Sequence, residues 1–275
     1  MTVHPTPLAT VLVGLAVLLG VPAARAQAMD MGSMQGGSAP PDARDPHAYA
    51  EGASFTRGED RPMLADQHRF RSILIDNLEA ARVDGRTALP YDLEGWFGQA
   101  YDRAVLKAEG EFERGSLTEA RTELLWGHAI APYWDTQLGV RHDSGEGPNR
   151  TWLAAGIEGI APYWFDLELT GYVGESSRTA LRVDASYDML MTQRLILEPR
   201  LEANFYGKDD IERGLGSGLA DVTFGLRLRY EIRRELAPYL GVEWVNQYGG
   251  TEDLSRAIGK DPSDSRILIG LRFWF

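Results

Sequence analysis

The chain of 275 residues contains no cysteine. That absence excludes a disulfide framework, thiolate chemistry and cysteine-type zinc sites. Long apolar runs are equally scarce. Leu8 to Val21 is apolar but too short to span a bilayer, and no other stretch approaches the roughly 20 residues a transmembrane helix needs. Anything that crosses a membrane here must therefore be β. Positive charge is in deficit as well: 28 Lys and Arg stand against 40 Asp and Glu, a formal net charge of −12. Such acidity argues against nucleic acid as a partner. The histidines His128 and His142, the latter beside Asp143 and Ser144, come with no serine motif, so the chain is not expected to be an enzyme.

What is present begins with an export signal. The apolar run ends at Ala24-Arg25-Ala26, a small-x-small cleavage sequence, with Ala28 offering a second site of the same shape. Residues 1–26 are read as a signal peptide, 27–65 as a disordered periplasmic arm and 66–275 as one β domain.

The β reading rests on a two-residue period. The last nine residues, Ile267 to Phe275, put Ile267, Ile269, Leu271, Phe273 and Phe275 on one face, with Arg272 and Gly270 on the other. The edge strand of a soluble sheet is the competing reading, but a flat apolar edge ending in aromatics would aggregate in water. Upstream, Leu195, Leu197, Leu201, Ala203 and Phe205 oppose Glu198, Arg200, Glu202 and Asn204. Val222, Phe224, Leu226, Leu228 and Tyr230 oppose Asp221, Thr223, Arg227, Arg229 and Glu231, and Leu181, Val183, Ala185, Tyr187 and Met189 oppose Arg182, Asp184, Ser186 and Asp188. Helical periodicity explains none of these as well. An apolar exterior around a polar interior is the pattern of a transmembrane antiparallel outer-membrane β-barrel, here of about 12 strands, starting near residue 66.

Connections set the expected orientation. Ala131-Pro132-Tyr133, Ala161-Pro162-Tyr163, Ala237-Pro238-Tyr239 and Met191-Thr192-Gln193 read as tight corners, with Pro at the first residue of a strand. Long polar connections are expected at 79–88, 113–117, 143–150, 174–178, 207–218 and 249–264, facing outward. Trp96, Trp126, Trp134, Trp164, Trp244 and Trp274, with Tyr133, Tyr163 and Tyr239, read as interfacial girdles. Inside, Lys107, Glu109, Glu111 and Glu113, Asp166 and Glu168, and Glu198, Arg200 and Glu202 are expected to pair and fill the lumen, with a carboxylate-lined cation path as the alternative.

The arm differs in kind. From Met29 to about Met63 it carries Gly, Ser, Ala and Pro without an apolar period. Met29, Met31 and Met34 place three thioethers within six residues, away from any core that would bury them. Methionine is normally a core filler, so a chance cluster is the competing reading. Clustered thioethers without cysteine suit soft Cu(I), with Cu(II) a second candidate, and His47, Met63 and His68 are candidate additional ligands.

Longer blocks carry a resemblance. These are Ala88 to Gly98, Ile130 to Trp134 followed by Gly139 to Asp143, Thr192 to Leu197, Tyr206 to Asp210 with Glu212 to Gly214, Tyr230 to Arg234, and Gly270 to Phe275. Through them roughly residues 85–275 resemble the copper resistance protein B family. The resemblance implies an outer-membrane protein of copper resistance, with a Met-rich N-terminal region that binds copper and sequesters or exports it. Outer-membrane lipid, copper ions and periplasmic copper-handling proteins are the partners this implies. A porin-like channel for small ions without copper specificity is the alternative function.

Overall fold

The computed structural model describes residues 68–83 and 86–275. Twelve long strands follow one another: β1 (Phe70–Val83), β2 (Arg86–Gly98), β3 (Asp102–Glu113), β4 (Ser116–Ala131), β5 (Trp134–Gly145), β6 (Arg150–Ala161), β7 (Phe165–Gly174), β8 (Thr179–Tyr187), β9 (Leu195–Tyr206), β10 (Gly218–Tyr230), β11 (Leu236–Gln247) and β12 (Ser263–Trp274). A two-residue piece, Met189–Leu190, continues β8 beyond Asp188. Each strand pairs antiparallel with its neighbours in sequence, and β12 pairs with β1, with Trp274 opposite Leu74. The sheet is therefore closed, and no edge is left to aggregate. The one α-helix among the described residues, α1 (Gly249–Ala257), lies in the connection from β11 to β12. No described helix is long and apolar enough to cross a membrane.

The two-residue period is visible in the wall. In β12, Ile267 and Ile269 are 69% and 60% exposed on the outer face, while Leu268 between them is wholly buried. Charged residues take the inner positions: Arg121, Glu123, Arg141 and Arg227 are all buried. Two consecutive residues turn inward where β1 bulges between Ile75 and Leu78, so that both Asp76 and Asn77 make lumenal contacts. Gly270 has a steric reason, since a Cβ there would lie 2.5 Å from the Tyr239 ring and hydroxyl.

Several sequence expectations are corrected. The first strand begins at Phe70 rather than near 66. The connection expected over 79–88 is short, because β1 runs to Val83 and Val83 pairs with Arg86. The one expected over 113–117 is the two-residue turn Arg114-Gly115, both at positive φ (53° and 79°), which a twisted hairpin favours. Glu79 is polar because it faces the lumen, where it meets Arg227, while Arg82 is paired with the outward Ile267 and stands exposed at the strand end. The corner expected at Ala237-Pro238-Tyr239 falls at 231–235, and Pro238 lies within β11. Pro90, Pro199 and Pro238 each sit where pairing to one neighbouring strand is interrupted, so their missing N–H leaves no partner unmet. Trp96 and Tyr239 leave the girdle for the lumen: Trp96 packs on the inner cluster and Tyr239 is 4% exposed. Trp126, Trp164, Trp244 and Trp274 stand exposed on the outer surface, and Trp134 is half-buried.

Turns at 99–101, 132–133 and 162–164 mark the short-turn end, where β1 also begins and β12 finishes. The opposite end carries the long connections 207–217 and 248–262.

Candidate functional site

Strand alternation delivers one charged residue after another to the lumen, and ion pairs join them across it. Lys107 of β3 donates to Glu158 of β6 (Nζ to Oε2, 2.6 Å) and to Glu168 of β7 (2.8 Å). Glu109 of β3 accepts from Arg121 at 2.6 Å and from both terminal nitrogens of Arg182 on β8. Arg200 of β9 donates to Asp184 at 2.8 Å and reaches Asp92 on β2 at 3.4 Å. Arg266 of β12 meets Glu111 of β3 at 2.6 Å, and Arg272 meets Asp76 at 2.6 Å. Twelve strands enclose a lumen narrow enough for side chains to bridge. Burying these charges is tolerated because each guanidinium is met by carboxylates rather than left alone. Among the described residues the expected pairing of lumenal charges is present at Lys107, Glu109, Glu111, Glu168, Glu198, Arg200 and Glu202, but not at Asp166.

Toward the long-loop end the packing changes character. Arg141 forms a two-pronged pair with Asp143 (2.6 and 3.0 Å) and lies 4.5 Å from the Tyr172 ring centroid. Trp152 donates its indole N–H to Asp143 at 2.8 Å, and Trp152, Tyr172, Val105, Leu125 and Ala154 form a buried cluster. Trp152 had no part in the sequence reading. Its signal was available: it opposes Arg141 in register, and Arg141 follows the inward parity of its strand. At the first residue of β6, Arg150 clasps Asp210 in the 207–217 connection through two hydrogen bonds of 2.8 and 3.0 Å and also meets Glu212 at 2.9 Å. The hydrogen bond from Arg150 holds the Asp210 carboxyl below the ordinary carboxylate range. Lys208 donates to the Ser176 carbonyl and Gly216 N–H to Thr251 of α1, so three connections are tied together there.

Toward the short-turn end the lumen opens into a cavity of about 360 Å³. Eleven carboxylates and five cations line it. Among the described residues, Glu94 and Asp166 on this lining have no cation within 4.0 Å.

Of the candidate copper ligands, Met29, Met31, Met34, His47 and Met63 lie outside the described residues. His68 precedes β1, exposed, with its ring 6.4 Å from that of Phe70. Among the described residues no group of three His, Asp or Glu side chains is arranged to hold a bare metal ion. His128 pairs with Asp102 on the outer surface (2.9 Å) and His142 contacts Thr151 (3.1 Å).

A closed antiparallel barrel with an apolar exterior, aromatic rims and a charge-filled interior is an outer-membrane β-barrel protein. Its backbone is similar to that of the NanC porin, with a TM-score of 0.50 over 73% of this chain and 98% of that one at 12% identity, a likeness of fold alone. Sequence is more specific. The model of the copper resistance protein B precursor family matches residues 69–275. Copper resistance protein B of Escherichia coli is 46% identical over 203 residues, covering 74% of this chain and 69% of that protein. A copper resistance protein B homolog of Pseudomonas syringae pv. tomato is 46% identical over 200 residues, covering 73% and 68%. The chain belongs to the copper resistance protein B family.

Proposed function

We propose that this chain serves copper resistance as a non-enzymatic outer-membrane protein that binds copper through its N-terminal arm and sequesters or exports it. Family membership carries the copper-resistance role. The binding site proposed is Met29, Met31 and Met34, with His47, Met63 and His68 as additional ligands. Thioethers are soft, neutral donors matched to Cu(I). The ion pairs that cross the lumen support retention at the arm over free diffusion of copper through the wall. The long connections 207–217 and 248–262 face outward in this reading, and the arm lies in the periplasm, where copper-handling proteins would meet it. Copper titration of the mature protein beside a truncation beginning at Leu64 tests the proposal. Cu(I) binding should fall away with the arm, and undiminished binding by the truncation would overturn it.

A small-ion channel without copper specificity is the second reading, supported by the cavity near the short-turn end. Ohmic conductance of the wild-type protein in planar bilayers, indifferent to copper, would favour it.

A further inference from the structure

Near the long-loop end the lipid-facing wall carries a positive charge. Arg82, next to last in β1, is in register with Ile267 of β12 and Thr87 of β2, and all three are exposed on the outer face. Among the described residues, the outward positions of β11, β12, β1 and β2 toward this end hold no carboxylate, and Arg82 is their one charged group. The acids and arginines between them point inward, where Glu79 meets Arg227 and Arg266 meets Glu111, while Arg86 at the turn is paired with Glu113. The company of Arg82 on the outer face is hydroxyl. Thr87 stands beside it, and Ser265, the next outward residue of β12 after Ile267 toward the long connections, is a diagonal neighbour within reach of a long side chain. Farther from the long connections the wall is hollowed. Ala80, in register with Ile269, contributes only a methyl group, and an apolar groove of about 250 Å³ lies among Ala80, Leu240, Ile267 and Ile269, with Arg82 and Thr87 at its edge.

We propose that this face binds a phosphorylated glycolipid of the outer leaflet, with one acyl chain in the groove and a phosphate held by Arg82 together with the hydroxyls of Thr87 and Ser265. The inference rests on the outward orientation of the long connections, which sets Arg82 in the outer leaflet. A lipid-facing arginine is costly at the bilayer midplane and nearly free at the interface, so at a strand end its guanidinium sits at head-group level. Its planar fork matches phosphate through two parallel hydrogen bonds, and no outward carboxylate repels the anion. Below Arg82 the groove is lined by alkyl groups, which suits a hydrocarbon chain and not a head group. A sugar-bearing head also has hydroxyls for the neighbouring outward pair Ser263 and Asn246, themselves joined at 2.9 Å. Charge above and hydrocarbon below are thus arranged as in the lipid itself.

The test uses the full-length mature protein, refolded in lipid-free detergent. Native mass spectrometry follows adducts with lipid A, dephosphorylated lipid A, phosphatidylglycerol and inorganic phosphate in turn. The wild type should hold one lipid A and little of the other three. Arg82→Gln should weaken lipid A binding by about 10-fold. Ala80→Phe, which keeps the charge and fills the groove, should weaken it likewise, and Arg71→Gln, outward at the opposite end of β1, should bind as the wild type does. Heat-modifiable migration on gels identifies folded variants, and Ala80→Leu takes the place of Ala80→Phe should the latter not fold. Unchanged lipid A binding in the folded Arg82 and Ala80 variants, or equal retention of phosphatidylglycerol, overturns the proposal. Orientation is read separately. The chain has no cysteine, so Glu212→Cys should take a membrane-impermeant maleimide on intact cells. Protection there would overturn the orientation and this site with it, whereas labelling without selective lipid A binding would overturn the site alone.

Discussion

Arg227 on β10 and Glu79 on β1 meet in the lumen, Nε to Oε1 at 2.8 Å, although β11 and β12 lie between their strands. Both are buried, and Tyr239 donates to the same Glu79 oxygen at 2.8 Å. Arg227 also donates to Glu243 at 3.2 Å, so in this low-dielectric interior the loss of Glu79 leaves the arginine with one carboxylate in place of two. Glu79→Ala is therefore expected to cost about 1–3 kcal/mol, and Glu79→Gln, which keeps an acceptor for Tyr239, to cost less. Urea unfolding in lipid vesicles, followed by tryptophan fluorescence, gives both values. A Glu79→Gln variant as unstable as Glu79→Ala would mean that the charge, and not the hydrogen bond, governs this site.

Lys107 ties β3 to β6 and β7 through Glu158 and Glu168. Shortening it to serine removes that strut and one positive charge. Single-channel recordings should show little current for the wild type and a several-fold larger, cation-selective current for Lys107→Ser. Equal currents would locate the constriction elsewhere, at the Trp152 and Tyr172 cluster for instance.

Asp210 titrates outside the strands. Its carboxyl is held below the ordinary range by Arg150. A depressed folded pKa means that the contribution of the clasp is fully present above the unfolded value and is lost as pH falls through the folded one. Hydrogen exchange across 207–217 should therefore be slower in the wild type than in Asp210→Asn above about pH 4 and should converge with it at lower pH. A constant difference down to pH 2 would mean that Asp210 does not act through its charge.

Phe275 closes the seam. Its N–H donates to the Ile73 carbonyl at 3.0 Å and its carbonyl accepts from Ile73 at 2.9 Å. Deleting it removes both bonds together with the apolar contact of the last outward side chain. The folded, heat-modifiable fraction in the outer membrane should fall, and an unchanged yield would reduce Phe275 to one more apolar contact.

Met29, Met31 and Met34 supply neutral ligand atoms. Cu(I) binding there should vary little between about pH 5 and 7, whereas a histidine site weakens as imidazole protonates near pH 6.5. Replacing all three by leucine keeps their size. The variant should reach the outer membrane normally, lose the pH-insensitive binding and fail to restore copper tolerance to a strain lacking the protein. Full tolerance with lost binding would move the function to the barrel.

The sequence by itself determined the barrel. Strict alternation such as Leu195 to Phe205 against Glu198 to Asn204 admits one arrangement, because a one-residue slip would turn every charge toward lipid. It also determined which residues face inward, including Lys107, Glu109, Arg227 and Arg229, since side-chain direction in a strand follows from parity. What parity cannot supply is the partner across the lumen. That Lys107 reaches Glu158 and Glu168 while Glu94 and Glu123 beside it go without depends on how twelve strands close and stagger, a property of the whole sheet. The bulge that turns both Asp76 and Asn77 inward breaks the very period by which the chain was read. The lumenal Glu79 likewise makes the end of β1 look like loop. In a barrel with a charged interior, polarity marks the lumen as readily as it marks water, and only the closed structure separates the two.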